Sequence, residues 1–178
     1  NDMFQKCINS RPSPIYNKKF LERIKLGNFE DDIDKINEVD WIIEVVIEKL
    51  DIKKSIFDLV EKHRRPGTIV TSNTSGIPIK LMNEGRSDDF KKYFAITHFF
   101  NPPRYLNLFE VVPGPDCNKD VLDFLLEYGE KFLGKTSVLA KDTPAFIGNR
   151  IGIFGIMSLF HQIKNGEYSV EEVDKLTG

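Results

Sequence analysis

The stretch AITHFFNPPRYLNLFEVVPG (Ala95–Gly114) contains two apolar runs, and each run carries one titratable residue. His98 lies in the first run and Glu110 in the second, and a short proline-containing segment joins the two runs. A parallel crossover connection needs a dozen or more residues, so we predict two strands that are antiparallel neighbours. In that arrangement the side chains of His98 and Glu110 can lie side by side.

Apolar runs and amphipathic segments alternate along the rest of the chain. WIIEVVIE (Trp41–Glu48) is typical of a strand that is covered on both faces, and a weaker strand is predicted at RIKLGN (residues 23–28). Helices are predicted at NDMFQKCI (residues 1–8) and from Pro144 to Gly166, among others. This alternation predicts an α/β fold with a mostly parallel sheet whose last strands are antiparallel to the first.

Composition excludes several classes of protein. The chain has 178 residues, 40% hydrophobic and 29% charged, and its net charge of −2 argues against a nucleic-acid partner. Cys7 and Cys117 have no metal-ligand spacing, and this cysteine usage fits a reducing compartment. The apolar stretch Ile151–Phe160 is about half the length of a bilayer span. We therefore expect a cytoplasmic protein with no membrane span and no metal site.

The pair formed by His98 and Glu110 is the main candidate for chemistry. A carboxylate beside an imidazole fixes its tautomer and stabilises the imidazolium, and the other ring nitrogen can then take a proton from an alcohol. The alternative is a buried pair in which the two groups only satisfy each other.

Three further polar segments contain candidates for ligand contacts. Ser75 lies in SNTSG after a predicted parallel strand, Glu48 and Lys53 follow another strand, and Asn149 lies in an apolar helix. Doubly wound folds bind ligands at the carboxyl ends of parallel strands. The alternatives are a helix cap for SNTSG, a solvated charge cluster for Glu48 and Lys53, and packing or capping for Asn149. His63 and His161 lack such neighbours and are expected at the surface.

Four motifs in this order, SNTSG, THFFNP, FEVVPG and KDTPAFIGNR, resemble those of the L-3-hydroxyacyl-CoA dehydrogenases of fatty-acid β-oxidation, in particular the bacterial long form. The resemblance extends from about residue 24 to residue 178. It implies that residues 1–142 form a Rossmann-like NAD-binding domain. Residues 143–178 would begin an all-helical domain that dimerises and helps to bind acyl-CoA.

The resemblance also implies roles for individual residues. His98 would be the catalytic base and Glu110 its partner, while Ser75 and Asn149 would contact the substrate oxygen. The residues that line the NAD site would be Glu48, Lys53, Ser75 and Asn101.

No G-x-G-x-x-G follows a predicted strand in the chain, and GNRIGIFG lies in an apolar helix. By resemblance, the first strand, the Gly-rich phosphate loop and the end of the helical domain would lie outside this sequence, as missing parts of the same chain. We therefore expect the 178 residues alone to bind NAD poorly and to be nearly inactive.

The function implied is NAD-dependent oxidation of L-3-hydroxyacyl-CoA to 3-oxoacyl-CoA by a homodimeric enzyme. One alternative is a dehydrogenase of another hydroxy acid on the same fold. The other is a non-catalytic structural module, which would not need His98, Glu110, Ser75 and Asn149 together.

Overall fold

The computed structural model describes residues 2–11, 13–15, 17–164, 166 and 168–177, and a five-stranded sheet forms the centre of this part of the chain. The spatial order of the strands follows the chain order. All neighbouring strands are parallel except β3 and β4, which are antiparallel. The strands are β1 (Trp41–Glu44), β2 (Ile69–Ser72), β3 (Phe94–Phe99), β4 (Leu108–Pro113) and β5 (Thr136–Leu139). The predicted α/β sheet and the antiparallel β3–β4 pair are both confirmed.

Helices cover both faces of the sheet. The helices in the described part of the chain are α1 (Asp2–Asn9), α2 (Leu50–His63), α3 (Ile79–Met82), α4 (Asp88–Lys92), α5 (Lys119–Lys131), α6 (Gly148–Lys164) and α7 (Val170–Thr177), with 3-10 helices at Lys18–Arg23 and Ile33–Glu38. Of these, α2 to α5 pack against the sheet. None of the helices in the described ranges is both long enough and apolar enough to cross a membrane.

Two apolar cores lie on opposite faces because side chains of a strand alternate in direction. One core packs residues of α2, α3 and α4 against the sheet face that carries Phe94 and Ile96. The other packs α5 against the face that carries Ala95, Phe109 and Val111. Strand β3 is buried on both faces as a result, which explains its continuous apolar sequence.

Trp41 joins β1 to the second core. Its indole Nε1 donates to Thr71 Oγ1 at 2.9 Å, and Thr97 Oγ1 donates to the same oxygen at 2.8 Å. The indole also packs edge-on against Phe124 and Tyr128 of α5. This chain of contacts connects three neighbouring strands and one covering helix.

Three predictions about strands were wrong. RIKLGN forms no strand, and β1 ends at Glu44 instead of Glu48. Strand β1 is also an edge strand, with Ile43 exposed, and is not covered on both faces. It ends early because the Glu44 side chain turns inward and accepts a hydrogen bond from Val46 N.

The last long helix begins at Gly148 and not at Pro144. Ala145 and Phe146 have φ angles of 64° and 45°, which a right-handed helix excludes. The predicted helix at residues 1–8 is confirmed as α1, although Asn1 lies outside the described residues.

Candidate active site

His98 and Glu110 lie directly opposite each other on β3 and β4. The distance between His98 Nδ1 and Glu110 Oε2 is 2.7 Å, and both side chains are buried. The predicted contact is therefore confirmed. Because an ionised carboxylate only accepts hydrogen bonds, the imidazole donates through Nδ1, and this leaves Nε2 as the nitrogen that can accept a proton. The rings of Phe100 and Phe146 lie against the imidazole, with centroid distances of 4.6 and 5.5 Å.

The second oxygen of Glu110 is held by backbone amides. Ile147 N and Gly148 N donate to Glu110 Oε1 at 2.9 and 2.8 Å, at the point where α6 begins. A helix N-terminus carries partial positive charge, which stabilises a nearby carboxylate. Each oxygen of this buried carboxylate therefore has hydrogen-bond donors.

A second buried charge cluster lies at the carboxyl ends of β1 and β2. Lys53 Nζ donates to both carboxylate oxygens of Glu44 at 2.9 Å and lies 3.3 Å from Glu48 Oε2. Ser72 Oγ donates to Glu44 Oε2 at 2.5 Å. The Lys53 side chain is only 1% exposed, so its ammonium does not face solvent but forms ion pairs with Glu44 and Glu48.

Glu48 presents a carboxylate at the surface of this edge and is tied to the SNTSG loop. The Thr74 hydroxyl and the Ser75 amide both donate to Glu48 Oε1. Partial burial acts to raise the pKa of Glu48, but these hydrogen bonds and the charge of Lys53 outweigh it. The pKa of Glu48 is therefore lowered from its usual value.

The structure brings the predicted residues together in two groups. Glu48, Lys53 and Ser75 are joined by the contacts above, and His98 and Glu110 form the second group. Asn149 directly follows Gly148, whose amide binds Glu110. Asn101 is exposed and begins the turn after β3, and its side chain makes no hydrogen bond to another described residue.

Both groups lie at the same end of the sheet, where the parallel strands β1, β2 and β3 terminate. The carboxyl ends of β1, β2 and β3 lie there, together with the start of the reversed strand β4. Asn73 Oδ1 accepts from Phe99 N and so connects the end of β2 to the end of β3. Of the other two histidines, His161 is exposed as predicted, but His63 is only partly exposed and pairs with Asp34.

Sequence reasoning missed Glu44, and it did not foresee that Ser72 and Thr74 of the SNTSG motif bind the carboxylates of Glu44 and Glu48. Glu44 did give a signal, since it is a carboxylate inside the apolar run of β1. Its partner Lys53 lies nine residues further along the chain, so local sequence did not reveal the pair. Within the described ranges, no group of three His, Cys, Asp or Glu side chains could hold a metal ion.

Comparison with known proteins identifies the family. Residues 5–143 match the family described as 3-hydroxyacyl-CoA dehydrogenase, NAD binding domain. The chain belongs to this family. This confirms the predicted relationship to the 3-hydroxyacyl-CoA dehydrogenases. The family is that of an NAD-binding domain, in agreement with the predicted cofactor.

Relatives and solved structures agree with the family assignment. A probable 3-hydroxyacyl-CoA dehydrogenase of Bacillus subtilis is 51% identical over 98% of the chain, which covers 22% of that protein. One of Deinococcus radiodurans is 42% identical over 98% of the chain, which covers 50% of that protein. The crystal structure of (S)-3-hydroxybutyryl-CoA dehydrogenase from Ralstonia eutropha has a TM-score of 0.76 and 27% identity, covering 96% of this chain and 59% of that one. The chain thus spans half or less of the length of these two curated relatives.

Proposed function

We propose that the chain is the NAD-binding part of an enzyme that oxidises L-3-hydroxyacyl-CoA to 3-oxoacyl-CoA in fatty-acid β-oxidation. The observation that carries this proposal is the buried contact between His98 and Glu110 at the ligand-binding edge of a Rossmann-like sheet. Family membership supports it, as do the names of the Bacillus and Deinococcus relatives.

In the proposed reaction His98 is the general base. Its Nε2 takes the proton of the 3-hydroxyl group while a hydride leaves C3, the carbon that carries this hydroxyl. General base catalysis of this kind contributes about a hundred- to ten-thousandfold in rate. Glu110 accepts the Nδ1 hydrogen bond and stabilises the imidazolium that forms. Ser75 and Asn149 are proposed to hold the substrate oxygen, so that the reacting carbon is correctly oriented.

The polar groups at the ends of β1 and β2 fit a dinucleotide. Glu48 offers an exposed carboxylate, which is the kind of acceptor that ribose hydroxyls bind in this fold class. We propose that Glu48, Lys53, Ser75 and Asn101 line the NAD site, with Lys53 acting through its ion pair with Glu48. When bound, NAD supplies the hydride acceptor.

The remaining parts of the proposal concern the whole protein. Residues 1–142 would form the NAD-binding domain, and residues 143–178 would begin a helical domain that contributes to acyl-CoA binding and to a homodimer. A cytoplasmic location remains a prediction.

Steady-state kinetics of the full-length protein test the proposed function. We expect NADH formation from an L-3-hydroxyacyl-CoA and NAD, and we expect the His98→Gln variant to lose about a hundred- to ten-thousandfold in kcat. NAD binding, measured by calorimetry, should change little in this variant, because Glu48, Lys53 and Ser75 lie in the other group.

Free hydroxy acids provide the control for substrate class. The CoA thioester should be oxidised much faster than the corresponding 3-hydroxy acid. Equal rates would indicate a dehydrogenase of another hydroxy acid, and near-normal turnover of His98→Gln would rule out its role as the base.

A further inference from the structure

Glu110 connects two parts of the molecule that are distant in sequence. Its Oε2 binds the imidazole of His98, and its Oε1 binds the amides of Ile147 and Gly148 at the start of α6. Its side chain is completely buried. A buried carboxylate is stable only when donors surround it, so the amides determine where the carboxylate can lie.

The backbone before α6 is shaped to present these amides. Ala145 and Phe146 both adopt left-handed conformations, which are unfavourable for residues other than glycine and persist only where the surroundings impose them. The Phe146 ring is buried and lies against His98. The turn is therefore held by contacts with the same two residues that form the candidate dyad.

Gly148 allows the close approach that its hydrogen bond requires. A Cβ atom at this position would lie 2.6 Å from Phe100 Cζ and 3.0 Å from Leu108 Cδ2. Phe100 in turn packs against the imidazole of His98. A larger residue would therefore have to displace either the ring beside His98 or the amide that binds Glu110.

We propose that Gly148 is a positioning residue for the dyad, and that its amide and that of Ile147 orient Glu110 toward His98. This inference deepens the proposed function and rests on it. The start of α6 then sets the rate of proton transfer and has little effect on the affinity for NAD, since Gly148 contacts neither Glu48 nor Ser75.

The Gly148→Ala variant of the full-length protein tests the inference. We expect kcat to fall about a hundredfold, as for a displacement of about 1 Å in a catalytic group, with the KM for NAD within a few-fold of that of the wild type. Gly152→Ala is the matched control. It lies one turn further along α6, where a Cβ would meet no atom of the described residues within 4 Å, and its kcat should be unchanged.

The double variant Gly148→Ala/Phe100→Leu tests the steric cause, because leucine lacks the ring atoms that the new Cβ would meet. Its kcat should lie close to that of Phe100→Leu alone. This comparison also decides the matter if Gly148→Ala alone does not fold. A double variant that folds but remains far less active than Phe100→Leu would overturn the steric explanation.

Proton NMR detects the hydrogen bond between His98 and Glu110 in the absence of catalysis. The ring N–H of His98 bonded to Glu110 should give a low-field resonance that His98→Gln removes. We expect Gly148→Ala to shift or weaken this signal and Gly152→Ala to preserve it. An unchanged signal and kcat in Gly148→Ala would refute the inference. If the wild type oxidises no hydroxyacyl-CoA, the proposed function fails, while the NMR result still decides whether Gly148 positions the dyad.

Discussion

The buried Glu44 carboxylate lies at the carboxyl end of β1 and accepts hydrogen bonds from side chains of two other elements. Lys53 of α2 donates to both of its oxygens, and Ser72 of β2 donates to one of them. Removal of one partner from a buried ion pair is strongly destabilising, because the other charge remains buried without compensation.

We therefore predict that Glu44→Leu lowers the free energy of unfolding by about 3 kcal/mol, because Lys53 keeps only its longer contacts with Glu48 and with the carbonyl oxygen of Val46. Urea denaturation at neutral pH measures this change. The control is Glu84→Gln, which breaks an exposed pair with Lys54 and should cost less than about 1 kcal/mol.

The double variant Glu44→Leu/Lys53→Met should recover most of the lost stability, since replacing a whole buried pair by apolar residues is often neutral. If Glu44→Leu were as stable as the wild type, Glu44 would not be the centre of this cluster.

Glu48 makes the stability of the fold depend on pH. Its folded-state pKa is lowered from 4.5, so the carboxylate stabilises the fold fully above pH 4.5. This contribution is lost as the pH falls through the folded-state pKa. The stability difference between the wild type and Glu48→Gln should therefore be constant near neutral pH and shrink below pH 4.5. Thermal melts in a pH series test this, and a difference that does not vary with pH would contradict it.

At the scale of elements, the contact between α5 and the sheet depends on one small residue. Gly129 is buried in α5, and a Cβ there would lie 2.4 Å from Ser137 Oγ and 2.7 Å from Phe109 Cδ1. The helix can approach β4 and β5 closely only because this side chain is absent.

Gly129→Ala is predicted to destabilise the chain by about 1–3 kcal/mol through overpacking. Gly155→Ala in α6 is the matched variant, since this position is also helical but a Cβ there would meet no other described residue within 4 Å. It should stabilise the chain by up to about 1 kcal/mol through helix propensity. Denaturant midpoints compare the two variants, and a neutral Gly129→Ala would show that α5 can shift without cost.

Local periodicity was sufficient to predict most elements but not their ends. The positions of β3 and β4 follow from their apolar runs, and the short link gave the antiparallel pair. The start of α6 was not predictable, because the left-handed Ala145 and Phe146 depend on contacts with residues of β3 and β4. The contact between His98 and Glu110 was predictable because one short link joins their strands. The contacts of Glu44 with Lys53 and Ser72 were not, because these residues lie on other elements and approach Glu44 only in the folded protein.

At the scale of the whole molecule, α6 presents an extended apolar surface. Phe154 is 74% exposed and Ile151 67%, and Met157 and Phe160 are also largely exposed. Contiguous apolar surfaces of this kind commonly mark sites of association.

We predict that the 178-residue chain associates in a concentration-dependent manner. Sedimentation velocity should show an increase in average mass with concentration, and Phe154→Lys/Phe160→Lys should reduce it, because charges on this surface oppose its burial. Leu26→Lys, at an exposed leucine outside α6, is the control and should associate as the wild type does. A wild type that stays monomeric at high concentration would contradict the prediction.

Trp41 is the single tryptophan of the sequence, and its position makes it a built-in optical probe. The indole is bonded to Thr71 and enclosed by Phe124 and Tyr128, so separation of β1 from α5 would expose it to water and move its emission to longer wavelength. His98 lies two strands away on β3. An emission spectrum can therefore distinguish a variant that has lost its fold from one in which only the chemistry of the dyad has changed.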